Sequence, residues 1–308
     1  MMPTSLNLKL CAAGLGVAAL AAAGLGVAFS QDAPPVGGGP PAGFALTPSF
    51  SDDFNGASLD TVRWRTGFKD NGARPAGVSD RSLYGNRERQ LYFDPAFMSL
   101  GVQPFTLGDG TLTITALPMA PPVRAAVAGA VAEQPEPIRS SPLKDVGYSS
   151  GLITTNGAFS QLYGYFEIRA KWSGGKGLWP AFWLLPADGS WPPELDVMES
   201  LGHQKRTIYQ SIHSQQTGKA EGETITATTS SYTSEFHTYG MLWKADEIRF
   251  YVDGVQTGVK PTPADARKPM YMLVNLAVGG SWPGDPDATT PFPATMTVDY
   301  VRAWRLAG

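Results

Sequence analysis

Apolar and polar residues alternate with a period of two over several stretches of the chain. Thr111-Leu-Thr-Ile-Thr-Ala116 alternates throughout, Tyr165 to Trp172 sets Phe166, Ile168, Ala170 and Trp172 on one side, and Ile248, Phe250 and Val252 interleave with Glu247, Arg249 and Tyr251. Side chains of a strand project to opposite faces in turn, so each stretch predicts a strand with one face buried. Asp109-Gly110 and Asp253-Gly254 adjoin two of them, and both residue types accept the positive φ of tight hairpins. Outside the first apolar run, no long segment carries the 3.6-residue period of an amphipathic helix. The pattern predicts an all-β sandwich of two antiparallel sheets with little helix.

That first run, Leu10 to Phe29, is uncharged, rich in Ala, Gly and Leu, and preceded by Lys9, while Ala28 and Ser30 stand at the −3 and −1 positions of a cleavage site before Gln31. Residues 1–30 are therefore expected to be a secretory signal peptide. An uncleaved anchor is the alternative, since a span needs about 20 apolar residues; the many Ala and Gly residues weaken it and favour cleavage. The expected location is secreted or periplasmic, with no stable membrane association after cleavage. Cys11 is the single cysteine, and Leu8-Lys9-Leu10 before it lacks the small residues of a lipoprotein box. The remainder of the chain can form neither disulfides nor cysteine-ligated metal sites. Residues 31–45 are rich in Pro and Gly and are expected to be a flexible linker without chemistry. Residues 46–308 show no second break and no repeat, which predicts one domain; within it the Pro/Ala-rich segment Leu117 to Val146 is expected to be a loop, with one rim of a cleft as a candidate place for it.

Composition narrows the function. With 24 Lys+Arg against 27 Asp+Glu and a net charge of -3, the chain lacks the basic surplus that neutralises phosphates, so nucleic acid is excluded as a partner. The 8 Trp and 11 Tyr suit either a core or a flat aromatic binding surface. Three scattered histidines do not make a metal site. Serine-hydrolase G-x-S-x-G, P-loop and H-E-x-x-H motifs are absent.

The chemistry concentrates between Gly177 and Gly202, where Glu194, Asp196 and Glu199 form E-x-D-x-x-E. On a regular strand Glu194 and Asp196 share a face and Glu199 points away; one bulge around Val197-Met198 would bring all three together. Adjacent carboxylates repel, so a purely structural role is disfavoured unless a cation sits among them. Hard-metal binding is one alternative. The other is a retaining glycosidase, which needs two carboxyl groups about 5–5.5 Å apart, one as nucleophile and one as acid and then base. Trp179, Trp183 and Trp191 flank the acids and could stack on the apolar faces of sugar rings.

Taken together, Ser51-Asp-Asp-Phe-Asn-Gly56 with Trp64, Asn86-Arg-Glu-Arg-Gln-Leu-Tyr92, Tyr163 to Lys171, the 177–202 block, Phe236-His-Thr-Tyr-Gly240, Asn275 to Gly284 and Asp299-Tyr-Val-Arg302 resemble glycoside hydrolase family 16, in particular its laminarinase-like bacterial members. The resemblance implies a β-jelly-roll sandwich of the concanavalin A-like kind with a substrate cleft along its concave sheet. It makes Glu194 the nucleophile, Asp196 its hydrogen-bonding helper and Glu199 the acid/base. It places Asn86, Trp179, Trp183, His213 and Trp282 along the cleft as substrate-binding residues, although a core position suits Trp183 equally. Arg169 belongs either near the cleft or in a surface ion pair. Asp299 matches a position that holds a structural calcium in many members; catalysis itself requires no cofactor. A monomer acting on a polysaccharide is expected. The E-x-D-x-x-E form resembles enzymes of β-1,3-glucan and galactan, while Trp191-Pro-Pro-Glu194 and Trp282-Pro-Gly-Asp-Pro286 also resemble enzymes that trim acidic, succinoglycan-type exopolysaccharides. A non-catalytic lectin on the same sandwich is the alternative of another class, disfavoured because clustered acids gain a lectin nothing.

Overall fold

The computed structural model describes residues 38–68, 76–233 and 235–307. The expected signal peptide and residues 31–37 of the expected linker lie outside them. Ten strands build one sheet: β1 (Leu46–Asp52), β2 (Gln90–Tyr92), β3 (Phe105–Gly108), β4 (Thr111–Pro118), β5 (Tyr148–Ser150), β7 (Gly164–Trp172), β12 (His237–Trp243), β13 (Glu247–Val252), β14 (Val255–Pro261) and β16 (Ala294–Leu306). Six build the other, β6 (Leu152–Thr154), β8 (Leu178–Pro186), β9 (Glu194–Glu199), β10 (Thr207–Ser214), β11 (Glu221–Thr228) and β15 (Met270–Val278), in the order β11-β10-β9-β8-β15-β6. Pairing is antiparallel except between β2 and β5, which run parallel.

The alternation read from the sequence sets the layers. Leu112, Ile114 and Ala116 of β4, Phe166, Ile168, Ala170 and Trp172 of β7, and Ile248, Phe250 and Val252 of β13 all enter the core between the sheets. The six-stranded sheet meets them with Phe182 and Leu184 of β8 and with Met270, Met272, Val274 and Leu276 of β15. Asp109-Gly110 and Asp253-Gly254 have positive φ at both residues and turn β3 into β4 and β13 into β14, as the hairpins demand. The eight tryptophans divide: Trp64, Trp172 and Trp243 fill the core, Trp304 packs on the outer face of the ten-stranded sheet, and the other four belong to the outer face of the six-stranded sheet.

Two expectations need correction. The segment from Leu117 to Val146 is not a loop: Pro121–Ala132 forms a helix, α1, with proline in its first turn, where the missing N–H costs nothing. Val123, Val127 and Val131 recur every four residues along it and pack with Val78, Leu91, Phe93, Leu143 and Val146 into a second apolar cluster. The Pro/Ala composition concealed this spacing. The end of the expected linker is also folded. Gly39 N donates to Glu167 Oε2 at 3.2 Å, and Phe44 packs with Tyr165 and Tyr251, so residues 38–45 strap the outer face of the ten-stranded sheet. On that same face Arg169 pairs with Asp299, which resolves the alternatives for Arg169. A guanidinium against the Asp299 carboxylate does not suit a calcium ligand. Among the described residues no helix is long and apolar enough to cross a membrane.

Candidate active site

The pairing of β9 decides where its acids point. Asp196 lies opposite Trp183 of β8 and Ser211 of β10, and Glu199 opposite Ala181 and Tyr209, while Val197 has no partner in either ladder. It is the extra residue of a β-bulge. Val197 and Met198 consequently both enter the core, and Glu199 returns to the face of Glu194 and Asp196. The bulge expected from the spacing is present. His213 of β10 lies opposite Glu194, with Nε2 3.2 Å from Asp196 Oδ2. Its strand neighbour is Gly222, where a Cβ would stand 3.0–3.1 Å from the imidazole; glycine leaves the ring its space.

Two indoles finish the arrangement. Trp191 Nε1 donates to Glu194 Oε2 at 2.5 Å, and Trp179 Nε1 donates to Glu199 Oε1 at 2.9 Å. Burial, then the charge of Asp196, pushes the Glu194 carboxyl up to about 8. Burial, Asp196 and Glu194 likewise hold the Glu199 carboxyl well above the usual carboxylate range. Burial alone would lower His213, but Asp196, Glu194 and Glu199 outweigh it and carry the imidazole up to about 10. The acids thus share their face with an imidazolium, which relieves the repulsion that three carboxylates would otherwise suffer. Glu194, Asp196 and His213 hold donor atoms within 4.8 Å of one another, close enough for a metal ion, although protonated His213 already supplies positive charge. Of the two glutamates, Glu194 is the one directly opposite His213 in register.

A family model for glycosyl hydrolases family 16 matches residues 114–302, which include this whole strand constellation. The chain belongs to glycosyl hydrolase family 16. Among its relatives are two Rhizobium meliloti proteins named endo-1,3-1,4-beta-glycanase, EglC, 41% identical, and ExsH, 39% identical; each match covers 85% of this chain and 52% of the relative. The chain spans about half the length of these curated relatives. The X-ray structure of an endo-beta-1,3-glucanase from Pyrococcus furiosus superposes with a TM-score of 0.67 at 31% identity, covering 87% of this chain and 97% of that one. The laminarinase catalytic domain of Thermotoga maritima gives 0.66 at 29%, covering 86% and 100%. The jelly-roll sandwich of family 16 is the fold described above.

Around the acids of this family 16 domain the remaining expected site residues fall into distinct roles. Trp282 is 42% exposed and meets Trp179 edge-on at 5.3 Å and Tyr209 at 4.8 Å, forming an aromatic wall beside Glu199. Trp183 lies on the acids' face but is only 6% exposed. Its indole N–H donates to Asn275 Oδ1 at 2.7 Å and Phe68 packs edge-on against it. It is a floor beneath the site, not a stacking surface. His213 contacts Asp196 first, with its side chain 38% exposed. Asn86 is partly exposed and donates to Glu88 Oε1. Sequence reasoning gave no role to Tyr209, Asn275 or Glu88, and offered Trp191 as a stacking surface, not as the donor to Glu194. Tyr209 shares the parity of His213 and was findable; Asn275 sits in β15, which is buried on both faces and so shows no alternation.

Proposed function

We propose that the protein is a secreted, retaining endo-β-glucanase of β-1,3- or mixed β-1,3-1,4-linked glucan. The observation that carries this reading is the bulge-aligned pair Glu194 and Glu199, each with its own indole donor, in a domain whose relatives are named for those activities. Protonated Glu199 gives its proton to the glycosidic oxygen as Glu194 attacks the anomeric carbon; the leaving sugar departs as an alcohol and a glycosyl ester forms. Loss of the Glu194 charge lowers the proton affinity of Glu199, now ionised, only partly, so it remains able to take a proton from water. As Glu199 takes that proton, the water oxygen attacks the anomeric carbon, the bond from that carbon to the Glu194 oxygen breaks, and Glu194 is freed as carboxylate while Glu199 is left protonated for the next cycle. Asp196, paired with His213, steadies Glu194 through both halves. Export rests on the Leu10 to Phe29 run and the small residues before Gln31.

Digestion of laminarin and of mixed-linkage glucan, followed by NMR, tests the reading. The first product should be the β-anomer, because two displacements restore configuration. An initial α-anomer would mean inversion and remove Glu194 as nucleophile; no release from either glucan would reject the substrate.

A further inference from the structure

Glu88 is a buried acid with no part in the chemistry just described. It is 3% exposed, and among the described residues no Lys or Arg forms an ion pair with it. Three donors converge on it: Gln90 Nε2 at 2.5 Å, Asn86 Nδ2 at 3.4 Å and Leu83 N at 3.4 Å. An unpaired carboxyl below the surface is costly, and a glutamine of the same shape would avoid most of that cost. What glutamine could not do is accept on both oxygens. A carboxylate presents acceptors only, whereas a carboxamide must turn an NH2 toward one of the converging donors.

The acceptor surface fixes two neighbouring amides. With its nitrogen on Glu88, Gln90 must direct Oε1 the other way, and it accepts Val278 N at 2.8 Å, at the base of the loop that carries Trp282. Asn86, with its nitrogen on Glu88, keeps Oδ1 free of protein partners among the described residues, and its backbone carbonyl accepts Ser281 N at 2.8 Å. The same segment reaches the floor of the site, where Tyr92 OH accepts Asn275 Nδ2 at 3.0 Å. Burial pushes the Glu88 carboxyl up to about 7 against these hydrogen bonds.

We propose that Glu88 is a positioning residue that sets the polarity of substrate recognition: it turns the Asn86 amide so that an oxygen, and not an NH2, faces the sugar, and thereby selects a ring whose facing hydroxyl is free to donate. This rests on the polysaccharide-hydrolase reading above. A sugar etherified or acylated at that hydroxyl has no proton to offer and loses the contact. In Glu88→Gln the remaining oxygen keeps the two donors that share Oε2, Gln90 and Leu83 N, and the new NH2 takes the place of Oε1, where Asn86 turns over to accept it.

The test combines Glu88→Gln, Asn86→Ala and the double variant with laminarihexaose as the probe. Glu88→Gln should raise KM about tenfold while kcat changes less than threefold, a loss of binding common to ground and transition states. In the Asn86→Ala background the same change should add little, because the two residues act as one unit. Additive effects, an unchanged KM, or equal losses in kcat and KM with a lowered Tm would overturn the proposal and leave Glu88 a packing residue. A substrate-free readout separates its failure from failure of the glucan reading. The side-chain amide protons of Asn86 should exchange more slowly by NMR in the wild type, where they face Glu88, than in Glu88→Gln; equal exchange sinks the proposal whichever polymer is cut. If exchange behaves as expected and laminarihexaose is left intact, the glucan reading falls and the positioning role stands.

Discussion

At the scale of single residues, the site sets catalysis against stability. Glu194, Glu199 and Glu88 are buried acids whose proton affinity in the folded state exceeds that of the unfolded chain, and His213 is held protonated up to about 10. The folded protein therefore binds more protons than the unfolded one from about pH 4.5 upward. Each acid contributes its full stability below the unfolded carboxyl value; Glu88 loses it as pH rises through about 7 and Glu194 through about 8, and Glu199 loses its share well above the usual carboxylate range, while His213 contributes fully below about 6.5 and loses its share through about 10. Tm should accordingly fall between pH 5 and pH 9, measured by calorimetry. Glu199→Gln removes a buried ionisable group but keeps its shape. It should lower turnover roughly 10²–10⁴-fold, the usual worth of a general acid, and yet raise Tm at pH 8. A lower Tm in that variant would show that the carboxyl supports the fold.

At the scale of elements, legibility tracked the number of solvent-facing sides. β4 has one wet face, and β7 and β13 carry charged or hydroxyl-bearing side chains on the face away from the core even where the strap buries Tyr165, Glu167 and Tyr251, so their periodicity gave the layers residue by residue. The bulge in β9 was legible for a different reason: Glu194, Asp196 and Glu199 are compatible with one face only if the period slips between Asp196 and Glu199. β15 concealed Asn275 because Met270 to Val278 is buried throughout, and α1 concealed itself because alanines fill the positions between its valines. The segment that presents Asn86 and Glu88 leans on α1 and Leu143 through the second apolar cluster. Leu143→Ala should thus cost about 2–5 kcal/mol locally. Hydrogen exchange should show protection lost over 84–92 and 119–146 while β8 and β9 stay protected. Uniform loss across both regions would mean that the two clusters unfold as one.

At the scale of the whole molecule, the aromatic wall of Trp179, Tyr209 and Trp282 stands beside Glu199, and the Asn86 segment joins the loop of Trp282 through the bond from Ser281 N to the Asn86 carbonyl. Several sugars can then be held at once, each stacked ring contributing about 1 kcal/mol by analogy with aromatic pairs, and binding away from the reacting bond can be used to orient it. Viscosity of a soluble β-glucan should fall before much reducing sugar appears, and activity should climb from disaccharide to pentasaccharide. Trp282→Ala should flatten that climb. Constant viscosity alongside release of small sugars would indicate attack from chain ends. The strap of residues 38–45 adds an orientation to this picture. Because Gly39 is bonded to Glu167 on the face opposite β9, the polypeptide enters the domain from its back. The strap therefore covers the sheet that carries none of the three acids, and among the described residues its contacts leave the face of Glu194, Asp196 and Glu199 to the indoles and His213.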